Sequence, residues 1–200
     1  TQRLIDHALG GLRALLGADP VQLPWGFMEN RPALRLLAQG VELAYARKKK
    51  DVWDSLLAWG LDLNPVDNHG WRHARTESLL QQANFEQALQ LMARYPDDTP
   101  PSEHNRALAL FATGRKQEAE TVLRAAHAAY PLFMAALWPD VMDPPQVDDD
   151  SPGMLIGGAE AAYDNRLALR SVWVGQGALA WARQLNLPVN VPQVERRPRG

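Results

Sequence analysis

The chain has 200 residues, 46% of them hydrophobic and 22% charged, with 21 basic against 23 acidic side chains and a formal charge of −2. That size and composition suit one well-cored domain or a short array, and the near-neutral balance argues against a general nucleic-acid binder. With no cysteine, disulfides, thiolate zinc sites, iron–sulfur clusters and a cysteine nucleophile are excluded.

In chain order, 3–16 (RLIDHALGGLRALL) predicts a helix with Leu4, Ile5, Ala8, Leu9, Leu12, Leu15 and Leu16 on one face. Gly17, Asp19 and Pro20 end it. A loop follows, whose Trp25 and Phe27 are expected to pack back onto the bundle. Asn30 reads as an N-cap, and Pro32 fits the first turn of the next helix. From there the pattern predicts helical hairpins over about 32–63, 69–95 and 102–130. They close at Asn64–Pro65, Tyr95–Pro96 and Tyr130–Pro131, where each proline stops a helix. Residues 138–153, with four prolines and five aspartates, read as a loop. A helix carrying Leu155, Ala159, Tyr163 and Leu167 should follow. After a turn at Gly175 and Gly177 comes another, carrying Ala178, Trp181, Ala182 and Leu185.

The segment 104–131 sets Ala107, Gly114, Ala119, Leu123, Ala126 and Pro131 at the spacing of a tetratricopeptide (TPR) unit. The second hairpin matches at Phe85, Ala88 and Met92 but has Arg75–Thr76 where Leu–Gly is usual. The first has Gly40 near the helix crossing, with Trp53 where a small residue is expected. The resulting expectation is an all-α protein, a short right-handed TPR-like superhelix of about three hairpins with an N-terminal helix and a C-terminal helical cap. The whole is read as one structural domain. It comprises 1–31 (helix and loop), 32–135 (hairpins), 136–188 (loop and capping helices) and 189–200 (tail).

Pro144–Pro145, Glu160–Ala161, Tyr163, Trp173 and Gly177–Ala178–Leu179 succeed one another as in the C-terminal region of the suppression-of-tumorigenicity-seven family. Residues 29–186 resemble that region in the family's bacterial relatives. The resemblance implies an interaction scaffold with no catalytic residues to carry over.

His69 and His73 have zinc-like i,i+4 spacing, but HGWRH lacks the glutamate of HExxH and no third ligand is evident. Asp140, Asp143, Asp148, Asp149 and Asp150 read as a solvated acidic loop, because the alternating calcium-loop pattern is absent. No GxSxG, P-loop or GxGxxG occurs. No catalytic residue, cofactor or metal is therefore assigned.

Seven tryptophans are expected mainly to fill gaps between hairpins, with Trp71 the candidate for an exposed anchor. In a TPR array the first helix of each hairpin lines the groove. That nominates Arg35, Gln39, Glu42 and Tyr45, then Trp71, Arg72, His73 and Glu77, then His104, Asn105 and Phe111 as the partner-binding surface. The expected function is a non-catalytic, cytoplasmic adaptor that holds a peptide or helix of another protein, with neither nucleic acid nor membrane as partner. The chain opens on Thr1, so a regulatory or assembly domain of a larger protein is the alternative. A metal-dependent hydrolase built from the histidines and the aspartate loop is the third reading. Self-association through the apolar faces stays open.

Overall fold

The structure, a computed structural model, describes residues 2–17, 21–96, 99–146 and 157–189. Among them are ten α-helices and no strand. They are α1 (Gln2–Leu16), α2 (Arg31–Ala46), α3 (Lys50–Leu63), α4 (Trp71–Gln81), α5 (Phe85–Ala93), α6 (Pro100–Ala112), α7 (Lys116–Ala129), α8 (Leu132–Leu137), α9 (Ala159–Gly175) and α10 (Ala178–Gln184). The protein is all-α. Its contacts divide it into two compact units, 1–78 and 79–200, with the boundary inside α4.

One turn geometry recurs three times. After α2, Lys48 adopts φ 55° while its N–H bonds the Tyr45 carbonyl and that of Lys49 bonds Ala44. After α4, Ala83 (φ 59°) and Asn84 bond Leu80 and Leu79 in the same way. After α6, Gly114 (φ 83°) and Arg115 bond Phe111 and Leu110. This is the Schellman cap, which satisfies the last carbonyls of a helix through a left-handed residue. Each time the next helix begins two residues later, at Lys50, Phe85 and Lys116. Asn64 and Tyr130, each before a proline, then end α3 and α7 at φ −130° and −139°, outside the helical region that a following proline disfavours.

In the first unit the core lies where α1, α2 and α3 meet. A Cβ on Gly40 would stand 2.8 Å from Leu9 Cδ1 and 3.3 Å from Leu56 Cδ1, so the glycine sets how closely the three helices approach. Leu9 alone among the described α1 side chains is buried; Leu4 and Leu15 are exposed, Leu15 to 82%. The single apolar face expected for α1 is thus wider than the surface it covers. Asn30 is no side-chain N-cap either. Its amide instead donates to the Pro24 carbonyl at 3.0 Å, and a single 3-10 turn at Met28–Asn30 leads into α2. Pro32 does occupy the first turn.

In the second unit α6 packs against α7 through Ala107, Ala119, Leu123 and Ala126, all buried. Helix α8 went unexpected. Phe133, Met134, Ala135, Ala136 and Leu137 are all buried, so the segment shows no alternation of apolar and polar faces by which to read it. Helices α9 and α10 pack on α6, and α9 also on α8. Three arginines gather the carbonyls at the end of α8. Arg166 Nη1 donates to Ala136 and Pro139 (both 2.7 Å) and Nη2 to Asp140 (2.8 Å), Arg170 Nε to Leu137 (3.1 Å), and Arg183 Nη2 to Trp138 (2.7 Å). Cations at a helix C-terminus meet both its unpaired carbonyls and its negative dipole end. Leu155, Asp19, Pro20, Asp148–Asp150 and the tail 190–200 lie outside the described residues.

Candidate functional site

The segment joining α3 to α4 builds a polar and aromatic cluster in the first unit. Asp67 takes φ 56°, a conformation tolerated by few residue types besides glycine. It aims its carboxylate at the open end of α4: Oδ1 accepts the Trp71 N–H at 2.8 Å and Oδ2 the Arg72 N–H at 2.9 Å. Arg72 Nη1 completes the set with an ion pair of 2.9 Å to the same Oδ2, so the buried carboxylate is fully answered. The arginine thereby belongs to a cap.

Trp71 is only 5% exposed. Its indole lies over Gly60, where an added Cβ would overlap the six-membered ring. The expected exposed anchor is thus an interior residue: a glycine in α3 clears space for a ring that brings much apolar area to the core. His69 stacks flat on Trp71 (4.3 Å between centroids, 7° between planes), and Trp25 meets His69 edge-on at 4.9 Å. Burial holds the His69 pKa below its ordinary value, against an opposing pull from Asp67. At the outer end of this stack the guanidinium carbons of Arg31 and Arg35 lie 5.1 and 5.8 Å from the Trp25 ring centroid.

Of the other nominated residues, Arg35, Gln39, Glu42 and Tyr45 are exposed. They stand on α2, whose opposite side carries the buried Leu34, Leu37, Gly40, Val41 and Ala44. Residues 35, 39 and 42 keep the i, i+4, i+7 spacing that holds side chains on one ridge. Tyr45, at its edge, leans on Trp53 with centroids 5.6 Å apart. His73 and Glu77 are half-buried on α4. Arg75 and Ser78, missed by sequence reasoning, both reach Asp54 on α3, Arg75 at 3.3 Å.

The second unit treats its nominated residues differently. His104 is 0% and Asn105 3% exposed. His104 stacks on Phe133 (4.9 Å) and donates from Nδ1 to the Pro100 carbonyl at 3.1 Å, which leaves buried Nε2 without a partner. Burial lowers its pKa to about 4, with nearby His127 adding to the shift and the Pro100 bond opposing it. Asn105 accepts a bond of 3.0 Å from the Asn165 amide on α9. Phe111 stacks on Trp181 of α10 at 4.6 Å. So α9 and α10 cover the face of α6 that the repeat pattern assigns to a groove. Asn105 and Phe111 thus hold the cap, while His104 holds α8.

Elsewhere in this unit a cleft of about 380 Å³ between α5, α6 and α7 has Leu89, Met92, Leu110 and Val122 in its lining. Its rim carries the ion pairs Arg106–Glu103 and Arg115–Glu118. Asp140, 93% exposed at its side chain, pairs with Arg170 at 2.6 Å. Among the described residues no three histidine, aspartate or glutamate side chains converge as a metal site, and no helix is long and apolar enough to cross a membrane. Comparison with family models, curated proteins and solved structures returns no match.

Proposed function

We propose that this chain is a TPR-like interaction module that binds a segment of another protein along the outward ridge of α2. The observation that carries the reading is the ridge itself. Arg35, Gln39 and Glu42 stand exposed on a helix whose other face is sealed into the core. A rigid helix presenting mixed polar groups beside an aromatic suits an extended peptide or a partner helix. The triply repeated turn, with its prolines one helix later, supports the TPR-like assignment, because a repeat unit is one supersecondary element copied along the chain. The narrowing to α2 comes from burial. Trp71 sits inside, Arg72 caps α4, and His104 and Asn105 face α8 and α9.

Selection of twelve-residue peptides displayed on phage against the full chain tests this, with affinities of the selected peptides measured by fluorescence anisotropy. Glu42→Lys combined with Gln39→Ala should weaken the selected peptides by about tenfold or more at unchanged circular dichroism. Leu167→Ser, on the exposed side of α9, should leave them unaffected. Peptides indifferent to the ridge variant would remove the reading.

A further inference from the structure

The geometry points to a recognition site for acidic side chains at the α2 end of the first unit, with Arg31 and Arg35 as its cations and Trp25 as their support. This rests on the interaction-module reading and names the chemistry of the partner. Arg31 and Arg35 are four residues apart on α2, and both guanidiniums lie within 6 Å of one indole centroid. Arg31 is further fixed by a bond of 3.1 Å from Nε to the Trp25 carbonyl. The support is itself held in place, since Trp25 abuts His69, His69 lies on Trp71, and Trp71 lies over Gly60.

Two like charges at i,i+4 on a helix repel, and the Trp25 ring gathers them here by cation–π attraction, with the Trp25 carbonyl holding Arg31 as well. Among the described residues no carboxylate pairs with either. The cations of α4 differ: Arg72 is paired with Asp67 and Arg75 with Asp54, so those of α4 are neutralised while those of α2 are not. Lys48 and Lys49 are also exposed, but they stand on a turn with no ring or carbonyl orienting their ammonium groups. A guanidinium held by its Nε and by a ring face still presents its terminal N–H groups, the donors that grip a carboxylate in parallel pairs. An incoming carboxylate relieves the repulsion and meets donors whose orientation is already fixed, which lowers the entropy cost of binding. Gln39 and Glu42 further along the ridge set its polarity: the acidic part of a bound segment lies toward Arg31 and a neutral or basic part toward Glu42.

The test uses the full chain and three fluorescein-labelled ten-residue peptides of one sequence. Four positions carry glutamate, glutamine or phosphoserine, and binding is read by anisotropy. The glutamate peptide should bind at least about tenfold tighter than its glutamine counterpart, and more weakly as salt is raised. Arg35→Gln should cost about fivefold to tenfold in affinity. Arg31→Gln with Arg35→Gln should abolish the difference between glutamate and glutamine peptides, while Arg35→Lys restores only part of it. Melting curves of these variants should stay near wild type, since neither arginine neutralises a buried charge. Equal binding of the glutamate and glutamine peptides overturns the inference but leaves the interaction module standing. Preference for phosphoserine over glutamate overturns the carboxylate assignment. Failure of all three peptides, together with failure of the phage selection, overturns both.

Discussion

Gly60 offers the sharpest test of how the first unit is packed. In the interior of a helix, Gly→Ala normally stabilises by about 0.8–1 kcal/mol, because alanine lowers the backbone entropy cost. Here the new methyl group would overlap the Trp71 ring, with Cδ2 at 3.1 Å and the benzo carbons closer still. The ring cannot retreat easily, being 5% exposed and stacked at 4.3 Å on His69. Overpacking of this kind costs about 1–3 kcal/mol, which over most of that range exceeds the propensity gain. Gly60→Ala should therefore lower stability on balance, by up to about 2 kcal/mol, or up to about 8 °C in melting temperature for a chain of this length. Trp71→Leu removes the obstruction, although it leaves a cavity of its own. In that background Gly60→Ala should reverse sign and stabilise. Urea unfolding monitored by circular dichroism and tryptophan fluorescence on the four proteins of the cycle reads both effects. Destabilisation of equal size in the two backgrounds, or stabilisation in both, would refute the packing of Trp71 over Gly60.

Two further outcomes are expected. His104 has its folded-state pKa depressed to about 4 from 6.5, so below pH 6.5 the unfolded chain takes up a proton that the folded chain refuses. Its contribution is fully present above pH 6.5 and is lost as pH falls toward 4, at about 1.4 kcal/mol per pH unit. His104→Gln should flatten the fall in melting temperature between pH 6.5 and 4.5, whereas an unchanged acid limb would contradict the buried neutral ring. Ala83 holds a left-handed φ of 59°, which costs a residue with a Cβ about 1–2 kcal/mol. Ala83→Gly should accordingly raise the unfolding midpoint, while Gly114→Ala, at φ 83° with open space around its Cβ position, should lower it; opposite shifts in thermal melts check the pair.

The helices and their turns were legible because the signals are local. Prolines 65, 96 and 131 and the turn at Gly114 mark boundaries by backbone sterics alone. Lys48 and Ala83 occupy the same left-handed position without glycine, so the turn had to be inferred there from periodicity. The features that were not legible depend on distant neighbours. Helix α8 is covered on every side and so lacks the polar stripe that identifies a surface helix. Asn105 reads as a groove residue until its partner Asn165, sixty positions away, is placed beside it. Arg31 and Arg35 look like ordinary solvated cations until the loop after α1 brings Trp25 beneath them. For α1 the error ran the other way. Leucines at 4 and 15 carried the apolar pattern beyond the face that Gly40 and Leu9 bury.

Whether the same helix position in a hairpin meets a partner or the protein's own interior depends on the later segments of the chain. In the second unit, α6 has the same turn and the same small-residue contacts with its hairpin mate that mark a groove-lining helix. Yet the segment after Pro131 returns α9 and α10 to α6, where Asn165 meets Asn105 and Trp181 meets Phe111, while Phe133 of α8 stacks on His104. A polar side chain in such a position is retained because it satisfies another buried one. Asn105 therefore answers to packing, as its bond to Asn165 shows. On α2 the two cations of the ridge from Arg31 to Glu42 meet the Trp25 ring and, from Arg31, its carbonyl, with no anion beside them among the described contacts. Unneutralised charge that is oriented and still reaches solvent is a weak way to stabilise a fold and an effective way to select a partner.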